Sequence, residues 1–103
     1  MLRNLSANGI LLSKVSTEKV AGTMIPKILH LDKAKIMSVG EKSEGVYGHV
    51  HYRAPEMVRG LPYDFKVDDW SFGVIIFFML TKSFPFNTED ESTKNDKIEE
   101  KII

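Results

Sequence analysis

The side chains in this sequence best suited to site chemistry are three histidines, His30, His49 and His51. Imidazole is a common ligand for zinc. His49 and His51, at i and i+2, would share one face of an extended backbone. A closed zinc site needs four ligands, and the sequence has no cysteine and no clearly placed fourth donor. The three imidazoles are therefore expected to be solvent-facing loop residues. Two carboxylates, Asp68 and Asp69, stand just before a long apolar run. Acidic side chains there cap a helix and meet its positive end.

Composition bounds the elements that hold these groups. The chain has 103 residues, enough for one small domain. Apolar residues make up 43% and charged residues 27%, as in ordinary globular proteins. The formal net charge is zero, which removes the electrostatic argument for a nucleic-acid partner or an anionic membrane. Without cysteine there is neither a disulfide nor a thiolate metal site, in keeping with an intracellular, cytoplasmic location. The longest uncharged run, Trp70 to Thr81, is twelve residues. A membrane span needs about 20, so the run predicts a buried central helix over 67–81 and no membrane crossing. Met1-Leu2-Arg3-Asn4 does not resemble a signal peptide.

Along the chain, Ile10-Leu11-Leu12 follows the turn pair Asn8-Gly9 and suits a short strand. Residues 13–26 read as a long loop containing Gly22, and Lys27-Ile28-Leu29 as a second strand entered through Pro26. Gly40 to Gly48 carries three glycines among polar residues and predicts irregular, mobile backbone. The 67–81 helix is apolar all round and should be covered on every side, with Trp70, Phe77 and Phe78 in the core. Gly73 costs that helix about 1 kcal/mol relative to alanine, which close approach of another backbone would explain. Residues 87–103 predict a charged loop and then the start of a further helix, with Ile98 and Ile102 four apart.

Two motifs carry a resemblance. Tyr52-Arg53-Ala54-Pro55-Glu56 precedes Val67-Asp68-Asp69-Trp70-Ser71-Phe72-Gly73 by ten mostly polar residues. An Ala-Pro-Glu triplet at that distance from Asp-x-Trp-Ser-x-Gly resembles the large lobe of a eukaryotic protein kinase. The rest of the pattern follows in order. Leu2-Arg3-Asn4-Leu5-Ser6-Ala7-Asn8-Gly9-Ile10-Leu11-Leu12 looks like the catalytic loop, and Lys27 to Asp32 like the strand leading into Asp-Phe-Gly. Gly48-His49-Val50-His51-Tyr52 looks like the Gly-Thr-x-x-Tyr ahead of Ala-Pro-Glu, and Lys82 to Phe86 like the turn after the central helix. Details such as Leu61-Pro62-Tyr63-Asp64 and Phe84-Pro85-Phe86 are most similar to the calcium/calmodulin-dependent kinase group.

The resemblance implies a mainly α fold of the α+β family: a partial kinase-like large lobe with a short β-hairpin at its start. A catalytic-loop-like segment would span 1–12 and an activation-segment-like stretch 27–56, followed by the central helix at 67–81. It also implies degenerate chemistry. Phosphoryl transfer depends on positioned charges. Asn4 stands where a carboxylate should accept the substrate proton, and Ser6 where a lysine steadies the phosphate. Gly9 and His30 replace two magnesium ligands, and His49 replaces the threonine that bridges the site. Imidazole suits magnesium poorly. Asp32 is the remaining candidate metal ligand.

By the same resemblance, Ser43 and Tyr47 fall at activating phosphosites, with Arg3 as the residue that would receive a phosphate. Structural positions are retained. Leu2 and Leu31 belong to one apolar stack, and Leu11, Ile75 and Met79 to a second. Asp68 would accept hydrogen bonds from the catalytic-loop backbone, and Glu56 would await an arginine beyond Ile103. ATP and magnesium serve the family, but none is expected for this chain alone, because the small lobe would precede Met1. The expected function is a binding or scaffold module. The alternatives are a segment of an active serine/threonine kinase and a truncated gene product. The partner would be a protein, the remainder of the same protein, or a second copy, covering the 70–80 helix.

Overall fold

The computed structural model describes residues 1–14, 23–87 and 94–103. A short 3-10 turn at Ala7–Gly9 leads into a hairpin of two strands, β1 (Ile10–Lys14) and β2 (Met24–Ile28). They run antiparallel, with Ile10 opposite Ile28 and Lys14 opposite Met24. Both strands reach into the stretch expected to be loop, and Pro26 lies inside β2 opposite Leu12 rather than at its entrance. In a two-stranded sheet every strand is an edge strand, where the missing N–H of proline is tolerated. Residues 15–22, including Gly22, lie outside the described residues.

Three α-helices follow among the described residues: α1 (Pro55–Val58), α2 (Lys66–Thr81) and α3 (Lys94–Ile102). Proline at the first position of α1 needs no N–H partner there. At the start of α2, Asp64 Oδ1 accepts the Lys66 N–H at 3.0 Å. Asp68 and Asp69 lie within the first turn rather than ahead of it. Lys82 ends the helix in a left-handed conformation, its N–H bonded to Phe78 O at 2.8 Å.

The core consists of three small clusters. Leu5, Tyr52, Val74 and Ile75 form one; Ala54, Met57, Tyr63 and Val67 form another; Val50, Ile98 and Ile102 form the third. Trp70 packs against all three and stacks on Phe86. The buried residues of α2 are Val67, Ser71, Val74 and Ile75. Ser71 Oγ donates to Tyr52 O and Val67 O.

The expectation of a helix covered on every side is corrected here. Phe72 is 55% exposed, Met79 55% and Leu80 80%, and Ile76 and Phe77 are also exposed. Phe77 is thus not core. The described residues pack on one stripe of α2, chiefly through the N-terminal segment and the 3-10 turn Val50–Tyr52.

The 40–48 segment is irregular but not loose. Ser43 and Tyr63 exchange two backbone hydrogen bonds of 2.8 Å. The buried Tyr63 places its hydroxyl against the carbonyls of Glu44 and Gly45. In α3, Ile98 is fully buried and Arg53 pairs with Glu99, so this charged stretch is anchored through its apolar stripe. Residues 88–93 lie outside the described residues.

Candidate functional site

The N-terminal segment is held against α2 by one carboxylate. Asp68 Oδ2 accepts the Leu2 N–H at 2.6 Å, and Oδ1 accepts the Arg3 N–H at 2.8 Å. Asp68 is half-buried and Asp69 is exposed. Arg3 lies in the left-handed region at φ 64°, uncommon for a residue with a Cβ, and this clamp helps hold it there. Met1 pairs through its backbone with Lys35 in both directions. The Leu29 N–H donates to Gly9 O at 2.7 Å, tying the turn to the end of β2.

Gly48, at φ 77°, completes the arrangement. A Cβ there would come within 3.0 Å of Arg3 O and 3.2 Å of Asn4 Oδ1. Only glycine permits this close approach, which places the 48–52 turn beside the N-terminal segment. The sequence marks Gly48 as a motif position and as one of three glycines in the 40–48 segment, without indicating this close approach. Its place in Gly-x-x-x-Tyr was the available signal.

Between these segments lies an open cavity of about 660 Å³. Asn4, Ser6 and Asn8 line one part, and His30 and His49 another. A column of rings forms the wall. His49 stacks on His51 at 5.2 Å, His51 on Phe84 at 4.1 Å, and Phe84 on Phe78 at 4.8 Å. Tyr52 meets Phe84 edge-on. His51 Nδ1 lies 3.1 Å from Phe86 O. A carbonyl can only accept, so that nitrogen carries the proton. Among the described residues, no aspartate or glutamate lines the cavity.

Four positions expected to be degenerate, Asn4, Ser6, His30 and His49, are therefore neighbours around one space. Gly9 stands behind them, where a Cβ would lie 3.3 Å from Ser6 Oγ and 3.6 Å from the His30 ring. Asp32 is absent from the lining. It is exposed and paired with Lys33 at 3.1 Å, and this hydrogen bond holds its carboxyl below the ordinary range. The residues around the cavity supply no carboxylate for a hard cation and so fit magnesium poorly. Among the described residues no three His, Cys, Asp or Glu side chains converge as a metal site. His51 is buried, unlike the solvent-facing loop residue expected of it. His30 and His49 are exposed.

Several other expectations need correction. Ser43 is only 5% exposed, because its backbone bridges to Tyr63, so a kinase reaching it must first open that bridge. Tyr47 is half-buried beneath the Arg3 guanidinium, which sits 4.1 Å from the ring centroid while Nε donates to Lys33 O. Arg3 is thus engaged locally. Among the described residues the Glu56 carboxylate has no bonded partner; Arg53 pairs with Glu99 instead.

The two apolar stacks are incomplete. Leu2 and Ile75 join the first core cluster, but Leu31, Leu11 and Met79 are exposed, and Ile10 rather than Leu11 packs inward. Close backbone approach does not explain Gly73, since a Cβ there would meet nothing within 4 Å. Gly73→Ala is accordingly expected to stabilise the chain by about 0.5–1 kcal/mol through helix propensity alone. The urea midpoint should rise with an unchanged slope; a fall would show a hidden contact at that position.

Comparison with known proteins agrees with this architecture. The protein kinase domain family matches residues 3–103. Serine/threonine-protein kinase D3 of Homo sapiens is 38% identical over 103 residues, covering 95% of this chain and 11% of the relative. Serine/threonine-protein kinase GIN4 of Saccharomyces cerevisiae is 45% identical over 65 residues, covering 62% and 6%. Protein kinase C delta type of Rattus norvegicus is 37% identical over 82 residues, covering 71% and 12%. The chain thus spans about a tenth or less of the length of these relatives.

Proposed function

This chain belongs to the protein kinase domain family, and from that premise we propose that it is a catalytically degenerate large-lobe segment, of the calcium/calmodulin-dependent type, that binds protein partners instead of phosphorylating them. The observation that carries this reading is the cavity beside Asn4. On this reading Asn4 stands where the family holds its catalytic carboxylate, and among the described residues no carboxylate lines the cavity. An amide cannot accept the substrate proton as a general base, and neither Gly9 nor His30 offers an oxygen to a metal. The parts that position the segment, Asp68 with the Leu2 and Arg3 N–H groups, remain engaged. The geometry for holding a ligand is kept while the groups for reacting with it are gone. No helix of the described residues is long and apolar enough to cross a membrane, and an intracellular, cytoplasmic setting goes with this reading.

A second reading, a segment of a working serine/threonine kinase that uses ATP and magnesium, is favoured by the 38% identity with serine/threonine-protein kinase D3. One assay separates them. The chain is incubated with labelled ATP, magnesium or manganese, and generic protein substrates. We expect no transfer above a heat-killed control and no rise in melting temperature on adding ATP with magnesium. Transfer that Asp32→Ala abolishes would establish the second reading and make Asp32 the metal ligand.

A further inference from the structure

We propose that the cavity between Asn4, Ser6, His30 and His49 is a receptor for a phosphate monoester carried on a protein side chain. This rests on the binding-module reading and names the ligand class of that site. Among the described residues, no acidic side chain lines this cavity. Its polar lining consists of neutral side chains and imidazoles, each of which can donate. Asn4 and Asn8 each offer an amide NH₂, Ser6 a hydroxyl, and His30 and His49 at least one ring N–H in either protonation state.

The aromatic wall adds the same sign of charge. His49, His51, Phe84 and Phe78 are stacked face to face in sequence, and all four line the cavity. Rings whose faces are spent on one another present their edges, and a ring edge carries the positive part of the quadrupole. Several side chains able to donate around one space, with no carboxylate among the described lining residues, suit a ligand that has several acceptor oxygens and negative charge. A phosphate monoester has both.

The volume of about 660 Å³ is that of a ligand pocket. It exceeds what a bare phosphate ion fills, and the mouth is open, as a group presented on another protein requires. Where the family's carboxylate would receive a hydroxyl, Asn4 donates. The change of one charge turns the site from one suited to an unmodified side chain to one suited to a phosphorylated one.

The test uses fluorescence polarisation at low chain concentration. The probe is a short fluorescein-labelled Gly/Ala peptide bearing one phosphoserine, compared with its unphosphorylated twin. Free phosphoserine and inorganic phosphate serve as competitors. We expect the phosphopeptide to bind and the twin to bind at least about tenfold more weakly, as the loss of charge-assisted hydrogen bonds implies. Asn4→Asp should weaken the phosphopeptide at least about tenfold, because it returns a carboxylate to the lining. His30→Glu, at an exposed position, should do the same.

Equal binding of the two peptides, no binding, or indifference to both variants would overturn the proposal. Displacement by inorganic phosphate as effective as by phosphoserine would assign the site to the free ion and overturn a protein-borne ligand. A parallel incubation of the twin with ATP and magnesium keeps the two ideas apart. Phosphorylation of the twin would sink the binding-module reading. An unmodified twin together with a phosphopeptide that fails to bind would sink only the receptor.

Discussion

Asp68→Ala is expected to destabilise the chain by about 2–6 kcal/mol, and Asp69→Ala by no more than about 1 kcal/mol. The two residues are neighbours in the first turn of α2 with opposite surroundings. Asp68 accepts both the Leu2 and the Arg3 N–H. Removing it strands two partly buried donors at about 1–3 kcal/mol each. It also releases Arg3 from a left-handed conformation and with it the segment that carries Asn4 and Ser6. Asp69 faces solvent and contributes only through the helix dipole, about 0.3–1 kcal/mol. Urea unfolding of both variants measures the difference. Equal midpoint shifts would mean that the N-terminal segment does not depend on this carboxylate. Total stability is about 5–15 kcal/mol for a small domain, so this loss is a substantial share of it.

These 103 residues, expressed alone, are expected to self-associate. Phe72, Ile76, Phe77, Met79 and Leu80 are all exposed on α2. Full burial of such a side chain contributes about 1.5–3 kcal/mol. Even partial cover of four of them offers roughly 3–6 kcal/mol to any partner surface, the same chain included. Light scattering across a concentration series should show a mass rising above 11.7 kDa. The double substitution Phe72→Lys and Leu80→Lys should bring it back toward the monomer, since both side chains point outward already. A concentration-independent 11.7 kDa mass with a cooperative thermal transition would show that the chain covers the helix by itself in solution.

Two further substitutions separate local from tertiary causes. Gly73→Ala probes a helix position with open space above it, where propensity alone decides the sign. An alanine at Gly48 would do the opposite, because it meets backbone at 3.0 Å in a conformation that L residues avoid. Both are glycines in the quoted motifs, one in the predicted helix and one in the irregular segment, and only the structure shows which has room for a Cβ.

The sequence by itself determined the family and the residue types that its motifs carry. Those depend on residue type and spacing, which are local. It also pointed to a helix over 67–81, from an apolar run opened by Asp68 and Asp69, and to a further helix from the spacing of Ile98 and Ile102; the structure has helices at Lys66–Thr81 and Lys94–Ile102. The tertiary structure alone decided which apolar residues are covered. Periodicity says which side chains favour burial but not which surface arrives, so Ile10 packs while Leu11 does not, and half of α2 stays open. It alone buried Ser43 and steadied the glycine-rich segment, because Tyr63, twenty residues on, supplies the hydrogen bonds. The ring column arises in the same way. His49, His51, Phe84 and Phe78 come from two distant stretches of chain. Stacking is a property of distances and plane angles, which no one-dimensional pattern encodes, and the cavity exists only once those stretches meet Asn4 and Ser6.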